Sequence, residues 1–510
     1  MSPPAGWPRI VIAGGGPTGW MAGAALATAL RGAGSVRVIE GDKDGSGDEL
    51  AQVEPTLPGI GDFLRFLGVA EDGVMAAAQA TFRLGTRFVG WSGPGTGRFQ
   101  PFGEIGSSLE SVGFHHVLLR MQSLGKPQGA EDFSLAALAA RARKFSRPSA
   151  DPRSVLSTLA YGLHLHCGRY ADWLRAHAAS LGVAGSAGRI TDVVLTEPDG
   201  AIAALVLEGG ERVAGDLFID CTGARARLIG QALGVGTEDW DRWSPFDRMV
   251  EMIGRPDGAP EPFTQITADA SGWRRKSPIQ AGVGLATISS SAFLGEDEAL
   301  RKLRSAAGGP AQSDPRLTRL GFHRRSRAWS GNCIALGAAA AAVGPLLGSG
   351  LQLAQSGLAR LIALFPHPQD NRAARAEYNR LAAEEAERLR DFVILHYRLN
   401  GRAGEPVWDA CRDASPPDSL AHKIEVFESR ARTPMLDEET FSEGDWASAF
   451  LGMGVRPRRH DPLADGMDPA WIGGVLGRMR EAMGQAVQAM PTHADYLKAH
   501  CSSPVRERAT

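Results

Sequence analysis

The chain has 510 residues, a formal net charge of −2, 43% apolar and 22% charged residues, the composition of a soluble globular protein with two or three cores. So balanced a charge gives no general pull toward nucleic acid or an anionic membrane. No apolar run reaches the roughly 18 residues of a spanning helix, and no basic stretch followed by an apolar one marks the N-terminus.

The organising stretch comes first. Ile10–Ala13 reads as a buried strand, Gly14, Gly16 and Gly19 fit G-x-G-x-x-G, and Trp20–Leu30 is an Ala/Leu-rich helix. Strand, glycine turn and helix form a dinucleotide fingerprint. Its glycines serve a tight turn, close approach to a pyrophosphate, and close helix–strand packing. The helix start offers unpaired N–H groups and a positive dipole end to phosphate. A second strand, Ser35–Glu40, ends in an acid suited to a ribose hydroxyl. A polar loop, Gly41–Glu49, an amphipathic helix over Gly59–Leu67 and a strand over Thr81–Trp91 follow. Ser92–Pro152 reads as loops around one helix near Leu135–Arg143.

Further on, Tyr161–His166 is a strand and Gly168–Leu181 a helix. Arg189–Leu195 and Ile202–Leu207 are strands joined by the turn Pro198-Asp199-Gly200. Asp216–Gly223 is an apolar strand ending in Asp220, a second acid beside a glycine turn, with helix capping as its bland alternative. Arg248–Gly321 is sheet-like, and Gly331–Gly337 is a buried strand. A helix over Leu351–Leu364 begins at Ser349-Gly350, so its first N–H groups point at whatever lies there. The last third is helical: Asn371–Tyr397, Leu420–Ser429 and Trp471–Gln488. Five scattered cysteines, Cys167, Cys221, Cys333, Cys411 and Cys501, with no CxxC, indicate neither a zinc cluster nor a disulfide framework. A reducing cytoplasm is the expected setting.

Taken together, GGGPTGWMAG at Gly14–Gly23, PTLP at Pro55–Pro58, YGLHLH at Tyr161–His166 and DLFIDCTG at Asp216–Gly223 resemble the flavin-dependent tryptophan halogenase family. WSGNCIALG at Trp329–Gly337, GPLLGSGL at Gly344–Leu351, RDFVILHY at Arg390–Tyr397 and MPTHADYL at Met490–Leu497 continue the resemblance nearly end to end. It implies an α/β (α+β) fold: an FAD-binding, Rossmann-like flavin monooxygenase core with a substrate module and a helical C-terminal region. The core would span 1–370, with substrate-module insertions at about 50–152 and 240–322, and the helical region 371–510.

The resemblance also implies a chemistry. Reduced FAD comes from a separate flavin reductase and meets oxygen to give a hydroperoxide. Chloride or bromide attacks it, and hypohalous acid travels by a tunnel to a lysine, with a glutamate opposite, beside a small aromatic substrate. Gly14, Gly16, Pro17, Gly19, Glu40, Glu54, Asp220, Gly223, Ala338, Gly348 and Leu351 stand at flavin positions, and Ser349 and Gly350 at the halide position. Neither nucleic acid nor membrane is an expected partner; a homodimer is compatible with the family.

Three departures matter. Arg83, in Phe82-Arg83-Leu84-Gly85, stands at the lysine position. Arginine keeps charge and donors but is a poor nucleophile, so hydrogen-bonded hypohalous acid is expected there rather than a haloamine. Leu347 stands at the glutamate position and cannot serve as a base. The W-x-W-x-I-P signature reads Trp273-Arg274-Arg275-Lys276-Ser277-Pro278, keeping only its ends. Lys276 is weighed as a replacement ammonium against a solvated turn residue. His115, His116, His164 and His166 are weighed as site residues against packing, and no third ligand makes a zinc site of His164 and His166. The expected function is an FAD-dependent, halogenase-like oxidation of an indole or phenol at a non-standard site. The alternatives are a flavin monooxygenase or oxidase without halide, or a catalytically degenerate flavin binder.

Overall fold

The computed structural model describes residues 8–41, 50–197, 199–307, 309, 311–368 and 370–502. Residues 42–49 of the polar loop, and Pro198 of the expected turn, lie outside them.

The glycine fingerprint sits at the centre of the main sheet. Strand β1 (Arg9–Ala13) leads into helix α1 (Pro17–Leu30), and β2 (Ser35–Ile39) returns beside β1. Helix α2 (Cys167–Ser180) precedes β3 (Ala184–Ser186); β4 (Leu217–Asp220) follows, then β5 (Trp329–Ser330) and β6 (Cys333–Ala335). The order is β5-β6-β4-β1-β2-β3, parallel throughout except for the β5–β6 hairpin. Parallel strands bury both faces, and β1, four of whose five residues are buried, reads accordingly as a short apolar run. Helices α1 and α2 cover one face with Trp20, Met21, Leu26, Tyr170 and Leu174 in the core.

A seven-stranded sheet runs 316–319, 248–254, 282–289, 272–279, 264–269, 85–89, 97–101. Chain from two distant segments thus meets in one sheet, joined where Thr264–Asp269 pairs in parallel with Gly85–Val89. The reading of Thr81–Trp91 as one strand is corrected here. Thr81–Arg83 pairs with Gly162–His166 in a three-stranded sheet, while Gly85–Val89 joins the large one. The break falls at Leu84, and the next strand opens at Gly85, where a Cβ would lie 2.3 Å from the Gln100 carbonyl oxygen. Arg83 therefore ends one sheet just before the chain enters the other.

Arg248–Gly321 is not sheet throughout: the helix Glu296–Ala306 interrupts it, with three acids in its first turn and only Ala299 and Leu303 buried. The stretch 92–152 likewise holds the strand Gly97–Pro101 and the helix Phe114–Ser123 besides the expected Leu135–Arg141. The long helix α3 (Gly350–Ala363) and α4 (Arg372–Arg398) open the helical third. Trp91, Trp273, Trp408, Trp446, Phe392 and Tyr397 build a second, aromatic core between the large sheet and these helices.

Candidate active site: a glycine-lined cleft and two buried arginines

The C-terminal ends of β1, β2 and β4 meet around the glycine turn. Gly14 has φ +117°, and a Cβ there would lie 2.3 Å from the Cys221 carbonyl oxygen. Gly19 allows α1 to approach the same turn, since its Cβ would stand 1.8 Å from the Gly14 carbonyl oxygen. Gly16 is the N-cap of α1, Pro17 occupies its first turn, and no acid fills that turn. The positive end of α1 is thus left for a ligand.

The turn opens on one cavity of about 490 Å³. Gly14, Gly16, Pro17, Glu40, Glu54, Gly223, Ala338, Ser349 and Gly350, taken from six separate stretches of sequence, all face it. Four other sequence candidates lie behind its wall. Gly19 serves helix packing. Leu351 is fully buried in the main core. Gly348 has φ +72° and lies so close to Pro55 that a Cβ would stand 2.3 Å from its carbonyl oxygen. The Asp220 carboxylate, fully buried, accepts from Thr222 N and Oγ1, Leu228 N and Ile229 N at 2.6–3.0 Å. It fixes the turn that carries Cys221–Gly223 to the cleft, as a capping acid does. Glu40 lines the cleft with its carboxylate 2.8 Å from the Arg175 guanidinium.

At the other end the cleft meets the start of α3. Ser349 is 1% exposed, and its hydroxyl finds no hydrogen-bond partner among the described residues. Orphan N–H groups at a helix start, joined by an unsatisfied buried hydroxyl, suit a small anion. Beside this turn lies Arg83, 1% exposed. It donates to Thr56 O at 2.7 Å, to Thr86 Oγ1 at 2.8 Å, and through both terminal nitrogens to Leu347 O at 3.3 and 3.4 Å. Burial, then the charge of Arg275, push its pKa down to about 9, with Glu54 opposing; it stays charged at neutral pH. Arg83 and Leu347, chosen separately in the sequence, are thus adjacent. The Leu347 side chain turns into the aromatic core with Trp91 and Trp273.

Sequence reasoning missed Arg275. It is 2% exposed, donates to Pro345 O at 3.1 Å, and places Nη2 3.9 Å from Glu54 Oε2. The signal was there: Arg275 lies in the Trp273–Pro278 stretch, at the position the resemblance would give to a tryptophan. Strand alternation put Lys276 on the opposite face, where it pairs with Asp257. His164 is fully buried between the Thr81 and Thr264 hydroxyls, and burial holds it neutral. His166 lines the cleft and caps α2. His115 bonds Ala431 O, and His116 accepts from Asp461 N; both are packing residues away from the cleft. Among the described residues no three His, Cys, Asp or Glu are grouped to hold a metal, and no helix is long and apolar enough to cross a membrane.

A parallel sheet with a glycine-rich turn at its centre, opening on a cleft this size, defines a dinucleotide-cofactor-binding fold. A sequence model of the tryptophan halogenase family matches residues 9–469, and the chain belongs to that family of flavin-dependent enzymes. It is similar to BrvH, a flavin-dependent halogenase from Brevundimonas sp. BAL3, with 39% identity, TM-score 0.91, and 98% and 99% of the two chains covered. Xcc4156, a flavin-dependent halogenase from Xanthomonas campestris, matches at 38% identity and TM-score 0.93 over 98% and 99%. The 7-chloro-L-tryptophan 6-halogenase KtzR of Kutzneria sp. (strain 744) is 29% identical over 84% of this chain and 86% of its own.

Proposed function

We propose that this chain is an FAD-dependent halogenase that installs bromide or chloride on an electron-rich aromatic ring, an indole or a phenol. The observation that carries the reading is the adjacency of Arg83 to the Leu347 carbonyl, just ahead of the Ser349–Gly350 turn that faces the cleft. The cleft fits the cofactor. Its glycine cradle leaves no room for side chains at Gly14 and Gly15, and the α1 N-terminus suits a pyrophosphate.

Reduced flavin, delivered by a separate reductase, would supply the oxygen chemistry. Overall, FADH2, O2, halide, a proton and the arene give FAD, the haloarene and two waters. The chain's residues do the rest. The turn at Ser349–Gly350 holds the halide by N–H donors. Arg83 hydrogen-bonds the hypohalous acid and orients it toward the ring. The buried wall around Arg83 excludes water that would consume the oxidant. Leu347, whose side chain is turned into the aromatic core, supplies no base for the ring proton, so rings that need little activation are the preferred substrates.

The test is mass spectrometry of reactions containing bromide, a flavin reductase and a panel of aromatic compounds. Bromination of phenols or substituted indoles, lost in Arg83→Ala and weak on free tryptophan, is the expected result. Efficient bromination of free tryptophan would overturn the substrate reading. Bromide-independent oxygen insertion would make the chain a hydroxylating relative.

A further inference from the structure

The place proposed for the halide has an electrostatic problem of its own. Glu54 is 4% exposed, and a Cβ at Gly350 would lie 3.5 Å from its Oε1. One of its oxygens accepts the Ala51 N–H at 3.2 Å. An anion at the start of α3 would face this buried carboxylate with little water to screen the repulsion. Arg275 stands on the other side of that carboxylate. It reaches there because residue 275 alternates with Trp273 and Ser277 on the buried face of its strand, in register with Ala286 and Ile266. Its second contact is the carbonyl of Pro345, two residues before the carbonyl that Arg83 grips. Two buried guanidiniums thus hold alternate carbonyls of the loop that delivers Ser349 and Gly350.

We infer that Arg275 is a positioning residue that sets the halide affinity of the Ser349–Gly350 turn, by offsetting the Glu54 carboxylate and holding the Pro345 carbonyl. The inference rests on the halide reading above. With Arg83, Arg275 and Glu54 charged, the cluster keeps one net positive charge facing the turn. Neutralising Arg275 leaves none. A unit charge within about 10 Å at an effective dielectric near 20 changes anion affinity by roughly 10-fold.

The experiment is a bromide titration of the FAD-loaded protein at constant ionic strength, read by the flavin absorption change, with the bromide KM and kcat measured alongside. Arg275→Met should raise the bromide Kd and KM about 10-fold while the KM for the aromatic substrate holds. Arg275→Lys should stay within about 3-fold of wild type. Arg275→Met with Glu54→Gln, which restores the net charge, should recover most of the loss. Glu54→Gln alone should tighten bromide, and it keeps the test open if Arg275→Met fails to fold. An unchanged Kd in both Arg275→Met and Glu54→Gln overturns the inference. No bromide binding by the wild-type protein overturns the halide reading beneath it.

Discussion

Gly19→Ala tests whether the cleft depends on helix α1 pressing against the glycine turn. The added Cβ would stand 1.8 Å from the Gly14 carbonyl oxygen. A carbon and a carbonyl oxygen approach no closer than about 3.3 Å, so helix and turn must part by about 1.5 Å. The turn cannot yield on its far side. Gly14 N is tied to Ile39 O at 2.9 Å, and the Cys221 carbonyl already crowds Gly14. The helix therefore moves, and its first N–H groups leave the position that suits a pyrophosphate. Overpacking of this kind costs about 1–3 kcal/mol of stability. Losing one charge-assisted hydrogen bond to phosphate costs about 1.5–3 kcal/mol, a roughly 10- to 100-fold rise in the FAD Kd. Fluorescence titration with FAD and a thermal melt read the two effects. Gly61→Ala, where a Cβ meets nothing within 4 Å, is the matched control and should move neither. Wild-type FAD affinity in Gly19→Ala would refute the reasoning.

Three other outcomes are expected. His164, His396 and His493 are buried, and burial lowers all three: His396 to about 3, His493 to about 4, His164 well below the usual value. The unfolded chain binds protons the folded one refuses, so stability should fall as pH drops from about 6.5 toward 4, at up to about 1.4 kcal/mol per histidine per pH unit; denaturant melts that stay flat across this range would contradict it. Asp220→Ala strands the Leu228 and Ile229 N–H groups, so the melting temperature should drop by the equivalent of about 2 kcal/mol or more, as calorimetry would read. Arg83→Met should lose at least about 100-fold in bromide-dependent turnover while FAD titrates normally, because the Arg83 side chain does not line the cleft; Arg83→Lys should retain activity.

Local signals carried far in this sequence, and tertiary ones did not. The β1–α1 unit was legible because its apolar run, glycine spacing and Ala/Leu helix agree at every level. Family membership was legible because its motifs run nearly from end to end. The break at Leu84 was not, because it depends on two distant partners, the strand at 162–166 before it and the strand at 97–101 after it. Nor could the sequence divide its acids. Glu54 and Asp220 end or occupy comparable short strands, yet one faces the cleft and the other turns inward onto four protein donors. Arg275 was hidden by expectation: a residue inside an altered signature reads as a loss, and only strand register shows that it faces Glu54.

The three departures from the family pattern are coupled rather than independent. On the proposed correspondence, Leu347 in place of a glutamate removes a negative charge next to Arg83, and Arg275 in place of an indole adds a positive one. Both changes move the local field the same way, and Glu54 is the acid that pairs with Arg275. A chamber shifted toward positive charge holds a halide, but does not favour the positive charge that electrophilic halogenation builds on the ring. On the proposed reading, the missing glutamate and the added arginine therefore argue for one substrate property. The ring should bring its own electron density, from a hydroxyl oxygen or an indole nitrogen, because no carboxylate stands at residue 347 to stabilise the positive charge that builds on it.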